Sequence, residues 1–225
     1  MRVSHSALLA LIGAVALLLG ACQTLPSDAP RLSTASTAAL PSASAPLPQG
    51  VPQVDPPPGF FSFCMRFADQ CQSADNEPSS LHLTSEVWGE LQSVNARVND
   101  SIWPVDDERH YGRAEYWTIP TDGYGDCEDY ALTKRQQLGR LGLPMKALRV
   151  AVVITGRNNR HAVLTIATDD GDFVLDNETS AILPWDQTGY RWVARQDAKN
   201  DWGWVNLETP SFGLAMATGE NRTDK

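Results

Sequence analysis

At Gly125-Asp126-Cys127-Glu128-Asp129-Tyr130-Ala131 the chain has to start a helix, and a cysteine sits at that start. Asp126 suits the N-cap, and Asp129, three residues on, can stand for the glutamate of a capping box. Good helix formers follow from Cys127 to Leu141, among them Ala131, Leu132, Lys134, Arg135 and Leu138. Gly142 and then Pro144 stop the helix. Cys127 therefore falls in the first turn, at the positive end of the helix dipole, which favours thiolate over thiol. A small buried residue at a helix start would look the same, so the rest of the chain has to decide.

The first residues read as a targeting segment. Arg2 and His5 precede an apolar run from Ala7 to Leu19, too short for a comfortable membrane span. The run closes on Leu19-Gly20-Ala21-Cys22, which resembles the bacterial lipoprotein signal. That resemblance implies a signal peptide over 1–21 and lipidation of Cys22. Gln23 rather than Asp follows, which points to the outer membrane. The other reading is an ordinary secretory peptide cut near Ala21. Both put the protein outside the cytoplasm.

Residues 22–58 shift to Pro, Ser, Ala and Thr with no periodicity, and are expected to be a disordered tether. Residues 59–217 are the size of one domain, and 218–225 read as a flexible tail. A net charge of −9 and a pI near 4.8 argue against a nucleic-acid partner.

With Cys22 set aside for lipid, Cys64, Cys71 and Cys127 remain. An oxidising compartment favours pairing, and Cys64 and Cys71 are close enough in sequence to close a small loop. Cys127 is then the odd one, and an odd cysteine in an exported protein suggests a reactive thiol or an intermolecular bridge.

Thr84 or Ser85 can cap an earlier helix, whose apolar face is Val87, Leu91, Val94 and Val98. Asn95 and Asn99 lie on an adjacent face, either in solvent or holding a neighbouring loop. Residues 105–113 read as a polar loop, and Trp117 as packing beneath the next helix. After the Cys127 helix the period becomes strand-like over Leu148–Ile154, His161–Ala167 and Phe173–Asn177, with a hairpin turn at Asp170-Gly171. Trp185, Tyr190 and Trp192 suggest one more strand or a packing loop, and Trp202 and Trp204 should close the core. Two helices followed by an antiparallel meander make an α+β fold.

Thiol catalysis needs a thiolate, an imidazole that carries the proton and a group that orients the imidazole. Cys127 opens a helix, His161 opens a strand and Asp176 lies near the end of the next strand. A tight Asp170-Gly171 turn would pair Asp176 with Thr165, about 13 Å from His161 along the strand. A wider loop or a bulge is therefore expected. Asp126, Glu128 and Asp129, with Asp122 nearby, oppose a thiolate by like-charge repulsion. A hard cation would neutralise them, and oxygen ligands suit Ca²⁺. A capped, solvated helix start is the alternative.

Val94-Asn95, Val98-Asn99, Tyr116-Trp117, Pro120, the 125–131 run with Lys134, Leu138 and Gly142-Leu143-Pro144, His161-Ala162-Val163-Leu164 and Leu175-Asp176-Asn177 together resemble the bacterial transglutaminase-like cysteine peptidases. These include calcium-dependent periplasmic proteases that release surface adhesins. The resemblance implies a papain-like, transglutaminase-like α+β core with Cys127 as nucleophile, His161 as base and Asp176 as orienter. It implies calcium at Asp126, Glu128 and Asp129, an adhesin as protein substrate and an inner-membrane regulator responsive to cyclic di-GMP. The lipoprotein signal, the tether and the Cys64–Cys71 pair depart from the family pattern. The resulting expectation is a lipid-tethered, calcium-dependent envelope cysteine endopeptidase. Transglutaminase-type acyl transfer at the same residues, or a calcium-binding lipoprotein without activity, are the other readings.

Overall fold

The computed structural model describes residues 40, 41, 45–50 and 53–208. The signal peptide expected over 1–21, the lipidation site Cys22 and the tail expected over 218–225 lie outside the described residues. In chain order the elements are β1 (Gln53–Val54), α1 (Pro58–Arg66), α2 (Ser85–Ser101), β2 (Trp103–Pro104), α3 (Asp107–Tyr111), β3 (Tyr124–Gly125) and α4 (Cys127–Arg140). Then come β4 (Leu148–Ile154), β5 (Arg160–Thr168), β6 (Gly171–Leu175), β7 (Leu183–Pro184), β8 (Arg191–Gln196) and β9 (Trp204–Asn206). A seven-stranded sheet runs β1-β9-β8-β4-β5-β6-β7 with antiparallel neighbours, and β2 and β3 form a small parallel pair. The fold is α+β.

Strand alternation divides the sheet into two faces. Leu148, Val150 and Val152 of β4 with Leu164 and Ile166 of β5 meet Leu91, Val94 and Val98 of α2 and Leu132 and Leu138 of α4 in the main core. Thr84 is the residue that caps α2, its Oγ1 accepting from Val87 N–H at 3.2 Å. Trp117 packs edge-on against Phe60 and Trp204, as part of that core. Gly59 makes this contact sterically feasible, because a Cβ there would stand 2.2 Å from the Trp117 ring. Cys64 and Cys71 are bridged, with Cα atoms 5.5 Å apart, and both are buried.

Four expectations need correction. The tether expected over 22–58 gives way to folded chain before its end. Leu47 is 1% exposed and fills the opposite sheet face with Ala151, Val153, Val163, Val174 and Trp192. Arg195 donates to Pro48 O, and Gln53–Val54 pair with β9. That face is too apolar to be left to solvent, and Leu47 covers part of it, while Val54 packs against the main core. The polar loop expected over 105–113 contains α3, ended by Gly112 in the left-handed region (φ 65°). Of the two tryptophans expected to close the core, Trp204 is fully buried but Trp202 is 37% exposed, against Phe61.

The fourth correction concerns the hairpin. The turn is Asp169-Asp170, one residue earlier than expected, with Thr168 paired to Gly171 and no bulge between β5 and β6. Local hydrogen bonds account for the shift. Asp169 Oδ1 accepts from Leu83 N–H, and Thr168 Oγ1 accepts from Asp170 N–H and donates to Gly171 O. Gly171 begins β6 at φ 107°, a conformation open to glycine.

Candidate active site

The start of α4 and the start of β5 converge on one cleft. Cys127, Glu128, His161 and Ala162 line it, with Trp117, Glu115 and Arg160 at its walls. Asp126 occupies the N-cap of α4 but makes no side-chain capping bond there. Its Oδ2 instead accepts from Asp107 N–H at 3.3 Å. Cys127 Sγ accepts from Ala162 N–H at 3.4 Å, which brings the sulfur to the strand that carries His161. The thiol itself donates to Glu128 Oε2 at 3.1 Å.

His161 Nε2 and Asp176 Oδ1 are 2.8 Å apart, and both residues are buried. With Nε2 engaged by the carboxylate, Nδ1 is the ring nitrogen left to exchange a proton. Asp176 Oδ1 also accepts from Glu178 N–H at 3.0 Å, and Oδ2 from Tyr190 O–H at 2.5 Å. Burial alone would raise the Asp176 pKa, but the bonds from His161, Tyr190 and Glu178 outweigh it and hold the carboxyl below its usual value. Asn99 Nδ2 donates to Asp176 O and Asn95 Nδ2 to Ser180 O. These two asparagines of α2 thus hold the loop after β6 and are not solvent contacts. Lys134 of α4 is also buried, its Nζ without a hydrogen-bond partner. Burial pulls its pKa down to about 7, against the opposing charge of Asp176.

The carboxylates form two overlapping groups. One is Asp126 and Glu128 with the Cys127 sulfur. The other is Asp107, Asp126 and Asp129, and in each group the ligand atoms lie within 4.8 Å of one another. Asp107 comes from α3 and had no sequence signal beyond lying in a polar stretch beside Asp106. Its Oδ2 accepts from Tyr116 N–H, and Asp129 Oδ1 accepts from Thr118 N–H at 2.8 Å. Asp107 Oδ1, Asp126 Oδ1 and Asp129 Oδ2 are buried without hydrogen-bond partners. Three orphaned carboxylate oxygens in one cluster fit a hard cation with oxygen ligands. Asp122 stands apart, with His110 Nε2 2.9 Å from its Oδ2.

Electrostatics without a cation run against a thiolate. Burial first, then the Glu128 charge, pushes the Cys127 thiol well above its ordinary pKa. Burial and the Asp126 charge raise Glu128, and burial raises Asp126. Asp129 is pushed up to about 8, by burial and then by the charges of Asp126 and Asp107. The helix dipole, about half a charge, is outweighed.

The family model of the bacterial transglutaminase-like cysteine proteinases, BTLCP, matches residues 51–211. Among solved structures, Legionella pneumophila LapG is 25% identical, covering 67% of this chain and 80% of that chain with a TM-score of 0.47. The calcium-bound form of Legionella pneumophila LapG is 23% identical over 68% of this chain and 82% of that chain, also with a TM-score of 0.47. The EGTA-treated form is 24% identical over 58% and 69%, with a TM-score of 0.43. Comparison with curated proteins gives no match. With the family model spanning the folded part from β1 through β9, the chain belongs to the bacterial transglutaminase-like cysteine proteinases and is a cysteine peptidase.

Proposed function

We propose that the protein is a cell-envelope endopeptidase in which Cys127 is the nucleophile, His161 the base and Asp176 the orienting carboxylate. The observation that carries this reading is the buried 2.8 Å contact between His161 Nε2 and Asp176 Oδ1 beside a cleft that Cys127 shares. In the forward reaction His161 Nδ1 takes the Cys127 proton, and the sulfur attacks a peptide carbonyl. The Cys127 backbone N–H, at the start of α4, is the donor for the oxyanion. His161 then returns the proton to the leaving amine, and water releases the acyl enzyme. Asp176 holds the imidazole in the tautomer this sequence requires.

Asp107, Asp126 and Asp129 would hold calcium, with Glu128 adjoining through Asp126. A bound calcium ion supplies positive charge beside the thiol and ties α3 to the start of α4. Glu128 is the thiol's present hydrogen-bond acceptor, and drawing its carboxylate away would free the sulfur.

The substrate is a protein of the cell envelope, with a surface adhesin as the candidate that the sequence resemblance implies, and an inner-membrane regulator as its candidate partner. The Leu19-Gly20-Ala21-Cys22 signal and the Cys64–Cys71 bridge support an exported, lipid-anchored protein in the periplasm, at the outer membrane. The test compares surface and envelope proteins from cells carrying the wild type with those carrying Cys127→Ala. A protein shortened in the first and intact in the second identifies the substrate. Identical profiles, together with no cleavage by the purified enzyme in calcium, would overturn the reading.

A further inference from the structure

We propose that Tyr190 is a positioning residue for the His161–Asp176 pair, acting through the carboxylate and not on the substrate. The inference rests on the triad reading above. Its basis is the way each oxygen of Asp176 is used. Oδ1 accepts from His161 and from the Glu178 N–H, while Oδ2 takes the Tyr190 hydroxyl at 2.5 Å. The carboxylate is 3% exposed, so an oxygen that lost its donor would have no ready supply of water in exchange. Rotation of the carboxylate toward another donor would then compete with the bond to His161.

Tyr190 is itself held in place. Gly189 adopts the left-handed region (φ 70°) and turns the chain just ahead of Tyr190, which leads into β8 at Arg191. The Tyr190 ring meets the His161 imidazole edge-on, with centroids 5.8 Å apart and planes at 69°. The ring also packs on the apolar group that includes Leu47, Val163 and Trp192. Burial and the Asp176 bond push ionisation of the hydroxyl to higher pH, so it remains a donor through neutral pH. Leu47, from the chain ahead of β1, belongs to the apolar group on which Tyr190 packs.

The mechanistic role is tautomer control. A fixed Asp176 keeps the proton on His161 Nε2 and the lone pair on Nδ1, the nitrogen that takes the thiol proton. Tyr190→Phe removes the hydroxyl but keeps the ring contacts with His161 and the Leu47 group. Three measurements on the calcium-supplemented protein test the idea. They are the ¹⁵N shifts of the labelled His161 ring, the rate of Cys127 alkylation by iodoacetamide at neutral pH, and thermal melting. The wild type is expected to show the Nε2–H tautomer. Tyr190→Phe is expected to show a mixture of tautomers and alkylation slower by about tenfold, the weight of one hydrogen bond to a charged group. The proposal is overturned if Tyr190→Phe keeps the tautomer and changes the rate by less than about twofold while Asp176→Asn loses both. A lowered melting temperature with an unchanged tautomer also overturns it, since the hydroxyl would then be structural alone. If Asp176→Asn is equally silent, the triad reading fails first and the role of Tyr190 falls with it.

Discussion

His161 reaches Asp176 along the diagonal of a two-residue hairpin. Leu164 pairs with Leu175, so Asp176, one residue past the end of β6, falls opposite Val163 on the face that also carries His161. Diagonal neighbours on one sheet face lie within reach of side chains of this length, and here Nε2 and Oδ1 close to 2.8 Å. The strand register and the turn at Asp169-Asp170 together set that distance.

Because the pair is built by backbone register, changes at its side chains should affect chemistry more than folding. Cys127→Ala and His161→Ala should abolish cleavage of the envelope substrate, and melting should remain cooperative. Asp176→Asn should lower the rate by about 10⁴, the cost of a wrong imidazole tautomer. Full activity in Cys127→Ala would remove the nucleophile assignment.

The three residues proposed as the triad were legible in the sequence because each sits at the end of a regular element. Cys127 begins a helix, while His161 and Asp176 bracket a hairpin with strong strand patterning. The same logic failed by one residue at the turn. Asp-Gly is a strong hairpin signal, but Thr168 and Asp169 make side-chain bonds, one of them to Leu83, that nothing local announces. Asp107 was not legible for a related reason. Its burial depends on Asp126 and Asp129 of another element, and a short helix within a charged stretch has no periodicity to display. Tyr190 read only as an aromatic of a late strand or loop, because its partner Asp176 is 14 residues away. Leu47 was submerged in a Pro/Ser/Ala composition whose average says disorder, although it is buried on the sheet and the segment also takes bonds from Trp185 and Arg195.

The Cys64–Cys71 bridge closes a short loop between α1 and the turn that follows it. A loop of this length is worth about 2–3 kcal/mol by chain entropy. Cys64→Ala or Cys71→Ala should lower stability toward urea by that order and leave the alkylation rate of Cys127 unchanged. Counting thiols on denatured, unreduced protein lacking Cys22 should find Cys127 alone. Three reactive thiols would exclude the bridge.

Lipid attachment is expected at Cys22. Cells fed labelled palmitate should label the wild type and not Cys22→Ala, and only the wild type should fractionate with membranes. Label retained in Cys22→Ala would exclude Cys22 as the lipidation site.

Calcium and pH should act on the same carboxylates with opposite effect. Asp129 is pushed up to about 8 in the folded protein, from an ordinary value near 4, by burial and by its neighbours Asp126 and Asp107. Between those two values the folded state binds the proton more tightly than the unfolded state does. Its contribution to stability is therefore fully present below about pH 4 and is lost as pH rises toward 8. Calcium-free protein should melt at progressively lower temperature across that window. A cation held by Asp107, Asp126 and Asp129 requires them ionised, so its affinity should rise over the same window, and saturating calcium should flatten the melting profile by mass action. Asp129→Asn separates this from simple capping. It removes an acid that must take up a proton on folding while leaving an oxygen for Thr118 N–H, so at neutral pH it should raise the calcium-free melting temperature. It should also lose the calcium response in melting and in Cys127 alkylation. Asp107→Asn should behave in the same way, although nothing in the local sequence marks it out. Mg²⁺ should substitute poorly, because it demands tighter octahedral geometry. Paired melting and alkylation curves, with chelator and then with calcium restored, make the measurement. If calcium moves neither curve at any pH in the window, the carboxylates are buried acids that fold protonated, and the thiol must be activated without a cation.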